Sequence, residues 1–307
     1  MKKNCLIIGF GSAGQRHFNI LKKTSFFKKF YVYSKRYKKG PLTKISKLNE
    51  LEKLNLGYVI ISSETPLHYN HLKKVVNLKN VKILVEKPIF DKPQKIINFK
   101  SKNIFVGYNF RFNPIINYLK NYFKKNNSFI CDIECGYYLP FWKKSNYKNS
   151  YNADKKRGGG VLLDLSHEID FANWIFQDLK IINGFADKIT NLSINSEDVA
   201  LLNFKSKKSK IISIYLNYIS KKLTRNIRIK SSKKIILCDL ISNKIRIIRD
   251  NNKVKVIKFS KDPGYMKTYK LMHRSILLNN KKDVCKLDEA LNVLNIIDTI
   301  KKRKNNI

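Results

Sequence analysis

The 307-residue sequence contains no apolar run near the roughly 18 residues that a membrane span requires. Its basic start, MKKNCLIIGFGSAG, holds an apolar run of only about six residues before glycines interrupt it, and lacks both the long core and the cleavage site of a secretory signal. The sequence therefore predicts a soluble, cytoplasmic protein without a membrane partner. Cysteine is sparse as well. Cys5, Cys131, Cys135, Cys238 and Cys285 are scattered and odd in number, which argues against a disulfide framework and fits reduced thiols. Cys131 and Cys135 have no second Cys/His pair nearby, so no metal site is expected. A chain of this length buries roughly three quarters of its unfolded surface and needs no such staple.

Acidic residues are few: 22 Asp and Glu against 63 Lys and Arg give a formal net charge of +41. Such a balance suggests a nucleic-acid partner. However, arginine, the preferred reader of phosphate and guanine, supplies only 10 of those 63 cations. The lysines are spread along the whole chain among Asn and Ile, residues that share A/T-rich codons, so the bias needs no ligand to explain it. No specific nucleic-acid partner is expected.

What is present is a change of pattern along the chain. NCLIIGFG, FYVYS, YVIISS, VKILVEK and NIFVGYN read as short strands, with helix-like SAGQRHFNILKKT and PLHYNHLKKVVNL between them. Strands alternating with helices predict an α/β domain with a doubly wound parallel sheet over residues 1–118. Beyond it, eight alternating segments from SFICDIECGYYL to KVKVIKFS predict a meander of antiparallel strands. YMKTYKLMHRSILLNN and LDEALNVLNIIDTIKKR read as two closing helices. Residues 119–307 are thus expected to form an α+β domain on one large, open, mostly antiparallel sheet.

The first chemical motif is GFGSAG, comprising Gly9, Phe10, Gly11, Ser12, Ala13 and Gly14, between a strand and a helix. In GxGxxG the first glycine permits a tight turn, the second lets backbone approach a pyrophosphate, and the third permits close helix–strand packing. This predicts a dinucleotide site. At the end of the second strand, where NAD sites place an acid for the ribose 2′-hydroxyl, the sequence has Ser34, Lys35 and Arg36, with no acid in reach. These groups attract a 2′-phosphate, so NADP is preferred over NAD. Ligands of such folds gather at the carboxyl ends of strands, which directs Ser62, Glu86 and Lys87 to the cofactor cleft; Pro88 can fix an unusual backbone there, including a cis bond. In GYNFRFNP, strand alternation places Asn109 and Arg111 on one face as substrate contacts and Phe110 and Phe112 on the other.

GGGVLLDLSHEIDFANW, residues 158–174, reads as a helix in the second domain with Asp164, His167 and Asp170 recurring every third residue. Residues three apart are helix neighbours, so Asp164 sits beside His167. A carboxylate next to an imidazole fixes its tautomer and suits it to proton transfer near neutral pH. The glycines would let backbone come close to a ligand. On another reading, Asp164 caps the helix and His167 is a satisfied core histidine.

GFGSAGQRH, TPLH, VEKP, GYNFRF and GGGVLLDLSHEID, in this order, resemble the glucose–fructose oxidoreductase / inositol dehydrogenase / MocA family, and the resemblance runs through both C-terminal helices. It implies an N-terminal Rossmann domain, a C-terminal α+β domain whose sheet often mediates dimers or tetramers, and NAD(P)-dependent redox chemistry on sugars. Carried over by position, Lys87 would contact substrate and nicotinamide, His167 would be the acid/base, Asp164 would assist it, and His68 of TPLH would join the cofactor-binding set. Many members place three residues between that aspartate and histidine, whereas only Leu165 and Ser166 intervene here; one residue turns a helix position by about 100°. YLPFWKKSNYKNSYNADKKRGGG resembles members tied to surface-polysaccharide and sialic-acid-type sugar pathways, and brings Trp142, Tyr147 and Tyr151 as sugar-stacking candidates. The resulting expectation is hydride transfer at a secondary hydroxyl or ketone of a sugar or nucleotide sugar. A non-catalytic NAD(P)-binding regulator and a polyanion-binding basic protein are the alternatives; intact Lys87 and His167 weigh against the first, and the diffuse lysines against the second.

Overall fold

The computed structural model describes residues 3–94, 103–142, 146–260 and 265–303. The chain divides into two compact units, residues 1–112 with 265–294, and residues 113–264 with 295–307. The first carries β1 (Asn4–Ile8), α1 (Ser12–Leu21), β2 (Phe30–Tyr33), β3 (Thr43–Lys44), β4 (Leu56–Ile61), α2 (His68–Val75), β5 (Lys82–Val85) and β6 (Ile104–Val106). The second carries α3 (Pro114–Lys125), β7 (Ser128–Gly136), α4 (Leu139–Trp142), α5 (Val161–Asp164), α6 (Ser166–Phe176), β8 (Lys180–Asp187), β9 (Val199–Lys205), β10 (Ser209–Asn217), β11 (Thr224–Lys230), β12 (Lys234–Asp239), β13 (Lys244–Arg249) and β14 (Val254–Lys258). Then α7 (Tyr265–Leu277), β15 (Cys285–Lys286) and the first half of α8 (Leu287–Lys302) return to the first unit.

The sheet of the first unit has the order β15-β6-β5-β4-β1-β2-β3. Its pairs are parallel except for the edge strand β15, which lies antiparallel to β6. From β1 the chain moves to β2 on one side and to β4 on the other, which makes the carboxyl end of β1 the topological switch point. Parallel strands are covered on both faces, and Cys5 through Ile8 and Tyr58 through Ile61 are buried without alternation.

The two C-terminal helices were expected to close the second domain, with the boundary after residue 118. The boundary instead lies after Phe112, and residues 265–294 belong to the first unit. The reason is apolar: Tyr269, Met272, Ile276 and Val284 share one core with Cys5, Ile7, Phe18 and Phe105. At the new boundary Asn113 caps α3, its side-chain oxygen accepting from the Ile115 and Ile116 amides at 2.9 and 3.4 Å, with Pro114 in the first turn.

The second sheet has the order β14-β13-β12-β11-β7-β10-β9-β8. All eight expected strands form, but not as a simple meander, because β7 lies between β11 and β10 and runs parallel to β10. Helices α5 and α6 pack on the face that buries Ile133, Ile214, Leu202 and Ile229. The opposite face carries exposed Leu201, Ile211, Val254 and Val256. Cys131 and Cys135 are buried thiols of β7. Among the described residues no group of three His, Cys, Asp or Glu side chains is placed to hold a metal ion, and no helix is long and apolar enough to cross a membrane.

Asn109 and Arg111 do not alternate from a strand. They lie in a 3-10 turn, Asn109–Phe112, and both are fully buried. Asn109 Nδ2 donates to Thr268 Oγ1 at 2.6 Å, and Arg111 Nη1 donates to Glu289 Oε1 at 2.8 Å. These side chains fasten α7 and α8 within the first unit. Glu289→Ala removes an anion from a guanidinium cut off from water and should cost about 2–4 kcal/mol in urea unfolding.

Candidate active site

The glycine turn follows β1 at the switch point. Gly9 has φ +89°, and a Cβ there would lie 2.4 Å from the Ser63 amide nitrogen. A Cβ on Gly14 would lie 2.2 Å from the Gly9 carbonyl oxygen. The turn is thus closed against β4 on one side and against α1 on the other. Above Gly11 the situation differs, because a Cβ there would meet only Arg36 Nη1, at 3.7 Å. The first turn of α1, with Ser12 and Ala13, has no acidic residue and its N-cap Gly11 offers no side-chain acceptor. Open space over amides at a helix N-terminus suits an anion, so these residues fit the pyrophosphate of a dinucleotide. Phe10 packs edge-on against Tyr37 with ring centroids 5.0 Å apart.

Ser62, at the end of β4, is buried, and its hydroxyl donates to the Gly9 carbonyl at 2.9 Å. It therefore locks the turn from β4. Arg36 and Ser34 follow β2, where the Arg36 amide donates to Ser34 Oγ at 3.2 Å. The expectation that no acid reaches this place is corrected. Glu64, which follows β4, brings Oε1 to 3.0 Å from Arg36 Nη2. Both side chains are exposed, so this is a weak pair that a ligand phosphate can compete with. Lys35 is exposed beside them.

Lys87 leaves β5 half-buried, and the Lys87–Pro88 peptide is cis. Its backbone N–H donates to Glu86 Oε2 at 3.0 Å. Glu86 is buried, and His17 Nε2 lies 2.8 Å from its Oε1. Burial alone would raise the Glu86 pKa; the hydrogen bond and charge of His17, then Arg16 and the Lys87 amide, more than offset it and hold the carboxyl below its usual range. His68 is buried too. Its Nε2 is 3.0 Å from the Ser63 carbonyl, and its Nδ1 is 3.1 and 3.2 Å from those of Pro88 and Ile89. Glu86 and His68 thus hold the loop that carries Lys87.

In the second unit the expected single helix is broken. Helix α5 ends at Asp164, Leu165 leaves helical geometry with ψ 28°, and α6 begins at Ser166. Every residue of α6 is buried, His167 among them with 4% exposure. Its neighbour Glu168, also buried, lies 2.8 Å from Arg225 Nε of β11 and so ties α6 to the sheet. Asp164 accepts from three tyrosines: Tyr137 Oη, Tyr151 Oη at 3.1 Å and Tyr218 Oη at 3.2 Å. Burial first, and the Asp164 charge second, push the Tyr137 and Tyr218 hydroxyls well above their ordinary pKa, so both remain donors.

Tyr137 and Tyr218 were not foreseen; only their place in strand-like segments was visible. Tyr151 was expected to stack on a sugar; its hydroxyl reaches Asp164. Trp142 is half exposed and packs against Tyr137 with ring centroids 5.1 Å apart. The Tyr147 hydroxyl accepts from the Ser193 amide at 3.2 Å. The glycines before α5 serve protein contacts: Gly160 has φ +102°, and a Cβ on it would lie 2.3 Å from the Glu197 carboxylate.

Residues 3–102 match an oxidoreductase family with an NAD-binding Rossmann fold, and residues 130–236 match the GFO/IDH/MocA C-terminal domain. No curated protein matches the sequence. Among solved structures, UDP-N-acetylglucosamine 3-dehydrogenase GnnA from Acidithiobacillus ferrooxidans is 14% identical over 98% of this chain and 97% of its own, with a TM-score of 0.78. Levoglucosan dehydrogenase in complex with NADH is 14% identical over 98% and 96%, with a TM-score of 0.81. An oxidoreductase from Thermotoga maritima is 19% identical over 98% and 96%, with a TM-score of 0.80. At these identities the likeness establishes a shared fold.

Burial lowers the pKa of three histidines in the first unit, His68, His71 and His273. A histidine whose folded pKa lies below its unfolded value stabilises the fold fully above about pH 6.5 and loses that contribution as pH falls towards the folded value. Melting temperature should therefore drop as pH goes from about 7.5 to 5.5, a range in which lysine and carboxylate charges barely change. A flat or rising profile would contradict the buried, neutral assignment.

Proposed function

The chain belongs to the Gfo/Idh/MocA oxidoreductase family, and from that membership we propose that it is an NADP-preferring oxidoreductase acting on a secondary hydroxyl or ketone of a sugar or nucleotide sugar. The observation that carries the reading is the pairing, on one parallel sheet, of an open glycine turn at the switch point with Lys87 at the end of β5. The glycine turn and α1 N-terminus would hold the pyrophosphate, and Ser34, Lys35 and Arg36 the ribose side. When bound, the nicotinamide supplies or accepts the hydride. Lys87 stabilises negative charge developing on the substrate oxygen, and His167 accepts or returns the hydroxyl proton. Asp164, held by its tyrosines, keeps a fixed negative charge in the same unit as His167 and binds substrate alongside it.

The structural relatives named as acting on UDP-N-acetylglucosamine and levoglucosan support a sugar substrate. The resemblance of residues 138–160 to members tied to surface-polysaccharide and sialic-acid-type sugar pathways supports a role in such synthesis. The open sheet face with Leu201, Ile211, Val254 and Val256 is the surface through which copies of the chain would assemble into dimers or tetramers.

Cofactor choice rests on Arg36. NADPH should bind more tightly than NADH in fluorescence titrations, Arg36→Asp should reverse the order, and Glu64→Gln should widen it by releasing the guanidinium. Equal affinities in the wild type would sink the preference. For the chemistry, His167→Ala should lower turnover in a sugar panel by roughly 10²- to 10⁴-fold while NADPH affinity stays intact. If that variant melts early yet retains full kcat, His167 is a core residue and not the acid/base.

A further inference from the structure

Behind Lys87 a line of buried polar side chains crosses the first unit. Glu86 Oε1 lies 2.8 Å from His17 Nε2 of α1. His17 Nδ1 lies 2.9 Å from His273 Nε2 of α7. His273 Nδ1 lies 3.0 Å from the hydroxyl of Tyr58 on β4. None of the four is more than 7% exposed. Arg16 and His68 face Glu86 electrostatically, Cys5 and Glu86 act on Tyr58, and the Tyr269 ring meets His17 edge-on at 5.4 Å.

Burial, then Cys5 and Glu86, keep the proton on Tyr58, whose pKa lies well above its ordinary value. Burial, then the neighbouring His17, hold His273 well below its ordinary value, so its ring carries one proton. Hydrogen bonds thus join a neutral phenol to a neutral imidazole, that imidazole to His17, and His17 to the Glu86 carboxyl. Both nitrogens of each ring are engaged, and the line ends on an oxygen pair whose other member accepts the Lys87 amide. Apolar side chains would join these elements without the desolvation cost of two buried imidazoles and a phenol. Their use calls for a role other than packing.

We propose that Tyr58, His273 and His17 are positioning residues for Lys87, acting through Glu86 to fix the backbone from which the ammonium projects. The proposal rests on the catalytic role assigned to Lys87 above. It also gives α7 a purpose in the first unit, since this helix supplies the middle member of the line from far along the chain. Without the His17 donor, burial drives Glu86 towards its neutral form, which needs a partner for its own proton and is a weaker acceptor for the Lys87 amide.

Two variants of the full chain separate positioning from packing. His17→Gln puts an amide nitrogen near the place of Nε2 and still donates to Glu86, whereas His17→Asn reaches only the place of Nδ1. Trinitrobenzenesulfonate labelling, read by peptide mass spectrometry with Lys35 as reference, should show a Lys87 rate altered about threefold or more in His17→Asn and near wild type in His17→Gln. With NADPH and a sugar that the wild type turns over, His17→Asn should lower kcat about tenfold or more with little change in KM. The acid limb of its pH profile should move to higher pH, as Glu86 becomes harder to ionise, and His17→Gln should restore both. Identical behaviour of the two variants, or activity lost only in step with melting temperature, would overturn the proposal. If the wild type turns over no sugar, the oxidoreductase reading fails, while the labelling comparison still decides whether this line places Lys87.

Discussion

The closest constraint in the first unit is steric. At residue 14 the helix comes so near the carbonyl of residue 9 that a single methyl carbon would sit 2.2 Å from oxygen, and at residue 9 the turn presses equally hard on β4. Only hydrogen fits at either place. That contact draws the start of α1 over the end of β1, where its unpaired amides meet open space above Gly11. Ser62 holds the turn from β4, and Arg36 and Glu64 meet at its rim from β2 and β4. Anion recognition in this unit depends on how closely three backbone segments can approach.

A second theme is how buried charge is spent. Glu86 is shared between an imidazole and a backbone amide. Asp164 accepts from three phenols, of which Tyr137 and Tyr218 are held protonated by burial. Glu168 faces Arg225, and Arg111 faces Glu289. These contacts do different work: the last two fasten helices, whereas the first holds a carboxylate against the backbone of Lys87. In a chain so rich in lysine, the paired cation at both fastening points is arginine, whose fork satisfies a carboxylate in fixed geometry.

The glycine turn, the strand that ends in Lys87, and the helix bearing His167 were legible because each depends on residues near one another in sequence. All eight strands of the second sheet were legible for the same reason, from alternation alone. What was not legible was long-range. Helical periodicity in YMKTYKLMHRSILL shows a helix but not which core receives it, and α7 joins residues of α1 and β1 far from it in sequence. Alternation cannot show that β7 is flanked by β10 and β11, with one of those pairs parallel. Glu64 was missed beside Arg36 because it arrives from another strand, and Asn109 and Arg111 were misplaced because a 3-10 turn replaces the strand that their spacing suggested. Leu165 splits the helix at Asp164, a local break that neither glycine nor proline announces.

The central claim is that the turn at Gly9–Gly14 is a dinucleotide site built by steric closeness. It is tested most directly by titrating NADPH into wild type and Gly14→Ala while following nicotinamide fluorescence. The added methyl must push α1 away from the turn, so affinity should fall about tenfold or more while circular dichroism shows both proteins folded. Unchanged affinity in a folded Gly14→Ala protein would contradict the account.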